Sequence, residues 1–231
     1  MSRPDSSDVS YEQWLDYAFT QGYGDFSSDS PEAFARFEHY DVIPAPTVAS
    51  FLLQLCSNPQ TLRFRFTPDQ IGDGVTYAFG CATFNWHTIR DDKVSIETQQ
   101  ACWAAIPTIY RQLFDALCCR DGTAPDDDCR NEARIDGAVY MIWDMGGGIA
   151  SPTLFPEEHP QLADVAFRSL ETILHQCRTS TCRISALHAL SHAQLSSPAR
   201  IEAIIDRFTS TTRLPPFLAD YAVRARTGPM Y

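Results

Sequence analysis

The sequence predicts an all-α fold, an irregular stack of antiparallel helices numbering roughly nine or ten. Three observations carry this. Apolar residues recur at i, i+3, i+4 and i+7 along nearly the whole chain. No run alternates with period two, and no hairpin turn separates two such runs. In the last third the connections are as short as "RTS", "SSP" and "TTRLPP", and short loops between amphipathic helices make antiparallel neighbours.

Tyr11, Trp14, Leu15, Ala18 and Phe19 line the first helix, and Ser10 with Gln13 forms a capping box in front of it. The next segment, "QGYGDFSSDSPEAFARFEHYDVIPAP", reads as a loop with a short helix begun by Ser30-Pro31-Glu32. Val48, Phe51, Leu52, Leu55 and Cys56 make the second long stripe, ended by "SNPQ"; "RFRF" at 63–66 reads as a short extended segment. Thr67-Pro68-Asp69 starts a helix whose face is Ile71, Val75, Ala78 and Phe79, with Gly80 as its C-cap. Gly72 and Gly74 inside it cost about 1 kcal/mol each relative to Ala, which predicts a closely approaching neighbour.

From about Ser95 to Cys119, the residues Cys102, Ile106, Ile109, Tyr110, Leu113 and Leu117 share a face, and Pro107 predicts a kink within it or two abutting helices. Asp126 to Asp128 suit the N-terminus of the next helix, whose stripe is Ile135, Ala138, Val139, Ile142 and Trp143. Gly146 to Gly148 end it. Leu162, Val165, Ala166, Leu170, Ile173 and Leu174 form the clearest stripe of all. It is followed by "TCRISALHALSHAQL", by Ile201, Ile204, Ile205 and Phe208, and by Leu218, Tyr221, Ala222 and Ala225.

Composition narrows the function. The 231 residues carry a net charge of −11, which repels nucleic acid over most of the surface and suits a basic protein partner. The imbalance is uneven, with nine acids against two bases in residues 1–50 and five against eight in residues 160–231. No apolar run reaches the roughly 18–20 residues that span a bilayer, and no secretory signal opens the chain, so no membrane association and a cytoplasmic location are expected. The eight cysteines are scattered through apolar stretches and read as reduced structural thiols.

His188 and His192, four apart, share a helical face and can hold zinc. Cys182 offers a thiolate but lies about 60–120° away around the helix. "HALSH" lacks the Glu of the HExxH metalloprotease motif. On a helical wheel the segment is apolar or small on almost every side, the pattern of a central buried helix, and hydrogen-bonded core histidines are the simpler reading. Ser185 can touch His188 at i, i+3, without an orienting acid in view. "DMGGGI" is not a phosphate loop, "PEEHP" reads as a solvated loop, and Cys118-Cys119 lies at a helix end. The sequence therefore assigns no catalytic residue, no cofactor and no metal site, with His188, His192 and Cys182 as the candidate ligands were one present.

The stretch "CRISALHALSHAQ" resembles the second helix of a HEAT repeat, with Arg183, Ala186, Leu187, Ala189 and Leu190 in the positions of that pattern, and "LADVAFRSLETILHQC" stands where the first repeat helix belongs. No fixed period of 40–47 residues runs through the chain. The whole chain also resembles a group of uncharacterised bacterial all-α proteins, through "YEQWLDYAF", "FTPDQIGDGVTYAF", "YMIWDM", "ALHALSH", "IEAIIDRF" and "LADYAVRARTG". Ala189 and Ser191 stand where the group has glycines. The resemblance implies a HEAT-like helical fold and a bacterial origin, and no activity.

A single HEAT-like helical domain, 45–231, is expected, with an acidic N-terminal segment, 1–44, packed on the body. The leading functional expectation is a non-enzymatic scaffold that binds a protein partner, such as a bacterial immunity or accessory protein. Its contact surface is expected at Tyr23, Phe26, Phe34, Phe37 and Tyr40 in the acidic segment. The alternative is a metal-binding or hydrolytic module centred on the His188/His192 helix.

Overall fold

Ser10 and Gln13 close the predicted capping box. The Gln13 N–H donates to Ser10 Oγ at 3.3 Å and the Ser10 N–H to the Gln13 side chain at 2.9 Å. The computed structural model describes residues 9–80, 83, 85–118, 134–144 and 148–228. Helix α1 (Tyr11–Tyr17) runs through a π-helical turn, Ala18–Gly22, into α2 (Tyr23–Phe26), and α3 (Pro31–Asp41) follows behind the Ser30 cap. Next come α4 (Ala45–Ser57), α5 (Leu62–Arg65) and α6 (Pro68–Phe79), the last capped reciprocally by Thr67 and Gln70. Beyond them lie α7 (Asn85–Thr88), α8 (Ile96–Ile109) with a π-helical continuation over Tyr110–Phe114, and α9 (Asp115–Leu117). The final group is α10 (Arg134–Met141), α11 (Ser151–Leu154), α12 (Pro160–Gln176), α13 (Ser180–His192), α14 (Pro198–Thr211) and α15 (Pro216–Thr227). Every described element is helical, as the periodicity predicts.

One apolar core runs from Val9 and Trp14 to Ala225, and the inner faces of α1 and its π turn belong to it. Gly74 shows why a costly glycine sits inside α6. A Cβ there would run into the Phe19 ring of the π turn. Trp86 packs edge-on against Trp103 at 5.1 Å between centroids and stacks on Phe79, joining α6, α7 and α8.

Pro107 does not break α8. A proline cannot donate to the carbonyl four residues back. That carbonyl, on Trp103, instead accepts from the buried Ser169 Oγ of α12 at 2.8 Å. A π-helical turn, Tyr110–Phe114, follows α8 directly.

Helix α13 is the central rod. Eleven of its thirteen residues are buried, and it lies against α10, α12 and α15. Its small polar residues are each satisfied internally: Ser185 donates to the Val139 carbonyl at 2.6 Å, Ser191 to the His188 carbonyl at 2.8 Å, and Thr181 to Asp136 at 2.5 Å.

Two expectations fail. "RFRF" is not extended over 63–65: those residues belong to α5, and only Phe66 turns to extended backbone. The run is too short for periodicity to tell helix from strand. Ser185 does not turn to His188, because its hydroxyl is engaged by Val139 and by the Tyr110 hydroxyl at 2.8 Å. The expectations about Asp126–Asp128, Cys119, Gly146 and Gly147 lie outside the described residues. Cys56, Cys102, Cys118, Cys177 and Cys182 are free and buried. Burial pushes the Cys102 thiol up to about 12 and raises the Cys56 thiol well above its ordinary range.

Candidate metal centre

The two histidines of α13 meet a carboxylate. His188 and His192, one turn apart, bring their Nε2 atoms within 3.0 Å of each other, rings crossing at 85°. Asp144 sits in the turn after α10, held by its N–H on the Met141 carbonyl at 2.9 Å. Its carboxylate straddles the pair, with Oδ1 3.3 Å from His192 Nε2 and Oδ2 3.5 Å from His188 Nε2. The neighbouring Trp143 fixes that turn: its indole N–H donates at 3.0 Å to the buried Tyr110 hydroxyl, which is itself bonded to Ser185.

The far side of His188 is also furnished. Its Nδ1 lies 3.2 Å from the Tyr221 hydroxyl of α15 and 3.4 Å from the Tyr140 hydroxyl of α10. Burial lowers the His188 pKa, and the His192 ring adds to this against the opposing pull of Asp144. The imidazole is thus held neutral, the form in which histidine binds metal.

The site opens on one side only. His188 is almost fully buried, whereas His192 and Asp144 border a cleft of about 310 Å³, with His87, Gly148, Leu154 and Phe155 among its other walls. Gly148 has φ +89°, and a Cβ there would strike the His87 backbone at 2.7 Å. His87 is tied in turn to Arg90, whose guanidinium lies 2.6 Å from His87 Nδ1 and 2.7 Å from His159 Nε2. Arginine only donates, so both of those ring nitrogens accept and carry no proton.

The two imidazole Nε2 atoms and the two Asp144 oxygens, with nearest pairs 3.0–3.5 Å apart, approach the spacing of a metal coordination face. A tetrahedral zinc with ligands at about 2.0–2.1 Å sets neighbouring ligand atoms about 3.3–3.4 Å apart. Two imidazoles and one carboxylate are also a borderline-soft donor set suited to zinc and related transition metals.

The remaining sequence candidates lie elsewhere. Cys182 does not join the histidines; it groups with Cys177 and Asp115 near the start of α13. Of the aromatic set, Tyr23, Phe26 and Phe34 are exposed, Phe34 the most at 58%. Phe37 packs against Phe26 and Tyr77, and Tyr40 stacks on Tyr17 with centroids 4.0 Å apart. Beneath them the bidentate Arg36–Asp25 pair, at 2.7 and 2.9 Å, ties α3 to α2. Asp144, Tyr140 and Tyr221 were not singled out as site residues in the sequence, since none stands at a ligand spacing from the histidines.

No protein-family model matches this chain, and no curated protein and no solved structure matches it significantly. Among the described residues no helix is long and apolar enough to cross a membrane.

Proposed function

We propose that this protein is a metal-dependent helical protein, in which Asp144, His188 and His192 hold one divalent transition-metal ion of the zinc type. The observation that carries the reading is the trio of donor separations, 3.0, 3.3 and 3.5 Å, on a site that faces a cleft. Three protein ligands with an open position is the arrangement of catalytic rather than structural zinc, in which bound water is acidified to a pKa of about 7. The function this supports is hydrolytic, on a substrate entering past His87 and Phe155. Metal analysis tests it. The purified chain, reconstituted with zinc and desalted, should retain about one equivalent, and the cobalt-substituted form should show the visible bands of a low-coordinate site. Asp144→Asn, His188→Ala and His192→Ala should each lose the metal. A wild-type chain that keeps none refutes the reading.

A second reading, a scaffold for a basic protein partner, is favoured by one observation: Tyr23, Phe26 and Phe34 are solvent-exposed on the most acidic part of the chain. A paired Phe26→Ala/Phe34→Ala substitution that leaves cross-linking to host proteins unchanged would remove its support.

A further inference from the structure

The chain is strongly acidic, yet three arginines that form no ion pair among the described residues line two adjoining cavities. Two adjoining cavities, of about 290 and 420 Å³, share Arg111 and Gln176 as walls. The first adds Thr108, Arg168 and Thr172 from α8 and α12; the second adds Asp115 and Arg178. Arg36, Arg65, Arg200, Arg207 and Arg226 all pair with acids. Among the described residues Arg111, Arg168 and Arg178 form no ion pair, although all three are exposed; Arg168 lines the first cavity, Arg178 the second and Arg111 both.

The one carboxylate of the groove forms no ion pair with them. Asp115 Oδ1 accepts from the backbone N–H groups of Arg178 and Thr179, both at 2.7 Å, and so is committed to the turn that precedes α13. What remains is a set of donors: three guanidinium forks, the Thr108 hydroxyl and the Gln176 amide, the Thr172 hydroxyl being given to the Arg168 carbonyl at 2.7 Å. Guanidinium groups recognise phosphoryl oxygens through paired N–H bonds, and carry that role better than a point charge does. Arg111 stands on the wall between the two cavities. A single small anion can occupy one cavity; a chain of two or three phosphoryl groups can engage arginines in both.

We propose that this groove is a binding site for a polyphosphate group, inorganic or esterified to a nucleoside. The site is separate from the metal centre and shares no residue with it.

The test is titration calorimetry on the full chain at low salt, in the presence of a chelator so that no metal at Asp144, His188 and His192 can take up phosphate. Sodium tripolyphosphate, ATP, adenosine and sulfate are the probes. Tripolyphosphate and ATP should bind one to one with a dissociation constant in the micromolar range, and adenosine and sulfate should not bind measurably. If tripolyphosphate binds and ATP does not, the ligand is inorganic polyphosphate; if both bind alike, the phosphate chain alone is read. Arg111→Gln/Arg168→Gln and Arg178→Gln should each weaken binding about tenfold or more, while Arg213→Gln, at a residue that lines neither cavity, leaves it unchanged. Because the three arginines are exposed, circular dichroism should show these variants folded. No binding up to about 1 mM, binding of sulfate as tight as tripolyphosphate, or arginine variants that bind like wild type would each overturn the proposal. So would loss of binding in His188→Ala/His192→Ala with the arginines intact.

Discussion

The hydroxyl of Tyr221, on the last helix, lies 3.2 Å from Nδ1 of His188, on the most buried one. A metal-bound imidazole keeps a proton on its outer nitrogen and needs an acceptor there to fix its tautomer. Tyr221 supplies it, backed by Tyr140 at 3.4 Å. Tyr221→Phe should therefore weaken zinc affinity by about 10- to 100-fold, measured by competition with a chelating dye. An unchanged affinity would mean that the tyrosine only packs.

Ser169 and Pro107 make a coupled pair. Ser169→Ala leaves the buried Trp103 carbonyl without a donor and should cost about 1–3 kcal/mol in chemical denaturation. In a Pro107→Ala background the same change should cost clearly less, because residue 107 then has an N–H to offer that carbonyl. Equal costs in both backgrounds would show that the serine bond does not replace the missing one.

His159 should titrate below the ordinary histidine range. Burial lowers its pKa first and the Arg90 guanidinium lowers it further, against a smaller opposing effect of Glu158. Between that lowered value and about 6.5 the unfolded chain holds a proton that the folded chain lacks. Its contribution to stability is therefore complete above about 6.5 and is lost as pH falls through the folded value. NMR titration of the ring should give the low midpoint, and Arg90→Gln should move it upward.

Gly74→Ala should destabilise by about 1–3 kcal/mol, because the new methyl group meets the Phe19 ring in a filled core. Gly24→Ala, with nothing within 4 Å of its Cβ, should be neutral or slightly stabilising. Thermal melts of the two variants that moved together would argue against close packing of α6 on the π turn.

The helices were legible because their determinants are local: the Ser10 and Thr67 caps, Pro at first-turn positions, and apolar stripes such as Leu162 to Leu174. The central place of α13 was legible too, since a helix with no polar face has nowhere else to go. The short α5 was not, and neither was the Ser169 bond to the Trp103 carbonyl beside Pro107, because its two partners are 66 residues apart. Half of the site was visible as a His pair at i, i+4. The other half depends on tertiary placement. Asp144 and Tyr140 lie in "YMIWDM" and Tyr221 in "LADYAVRARTG", segments far from the His pair along the chain that meet it only in the fold.

The metal centre has one hard side and one soft one. His188 and His192 ride on a helix whose amides can exchange with solvent only when most of the core opens. Asp144 hangs from a turn at the protein's surface and needs only a local motion to swing clear. An ion held there as proposed would leave by the carboxylate, and its residence time would be set by that turn. Its position is set by the rod. Substitutions that slacken the turn should hasten release while leaving the two imidazoles where they are.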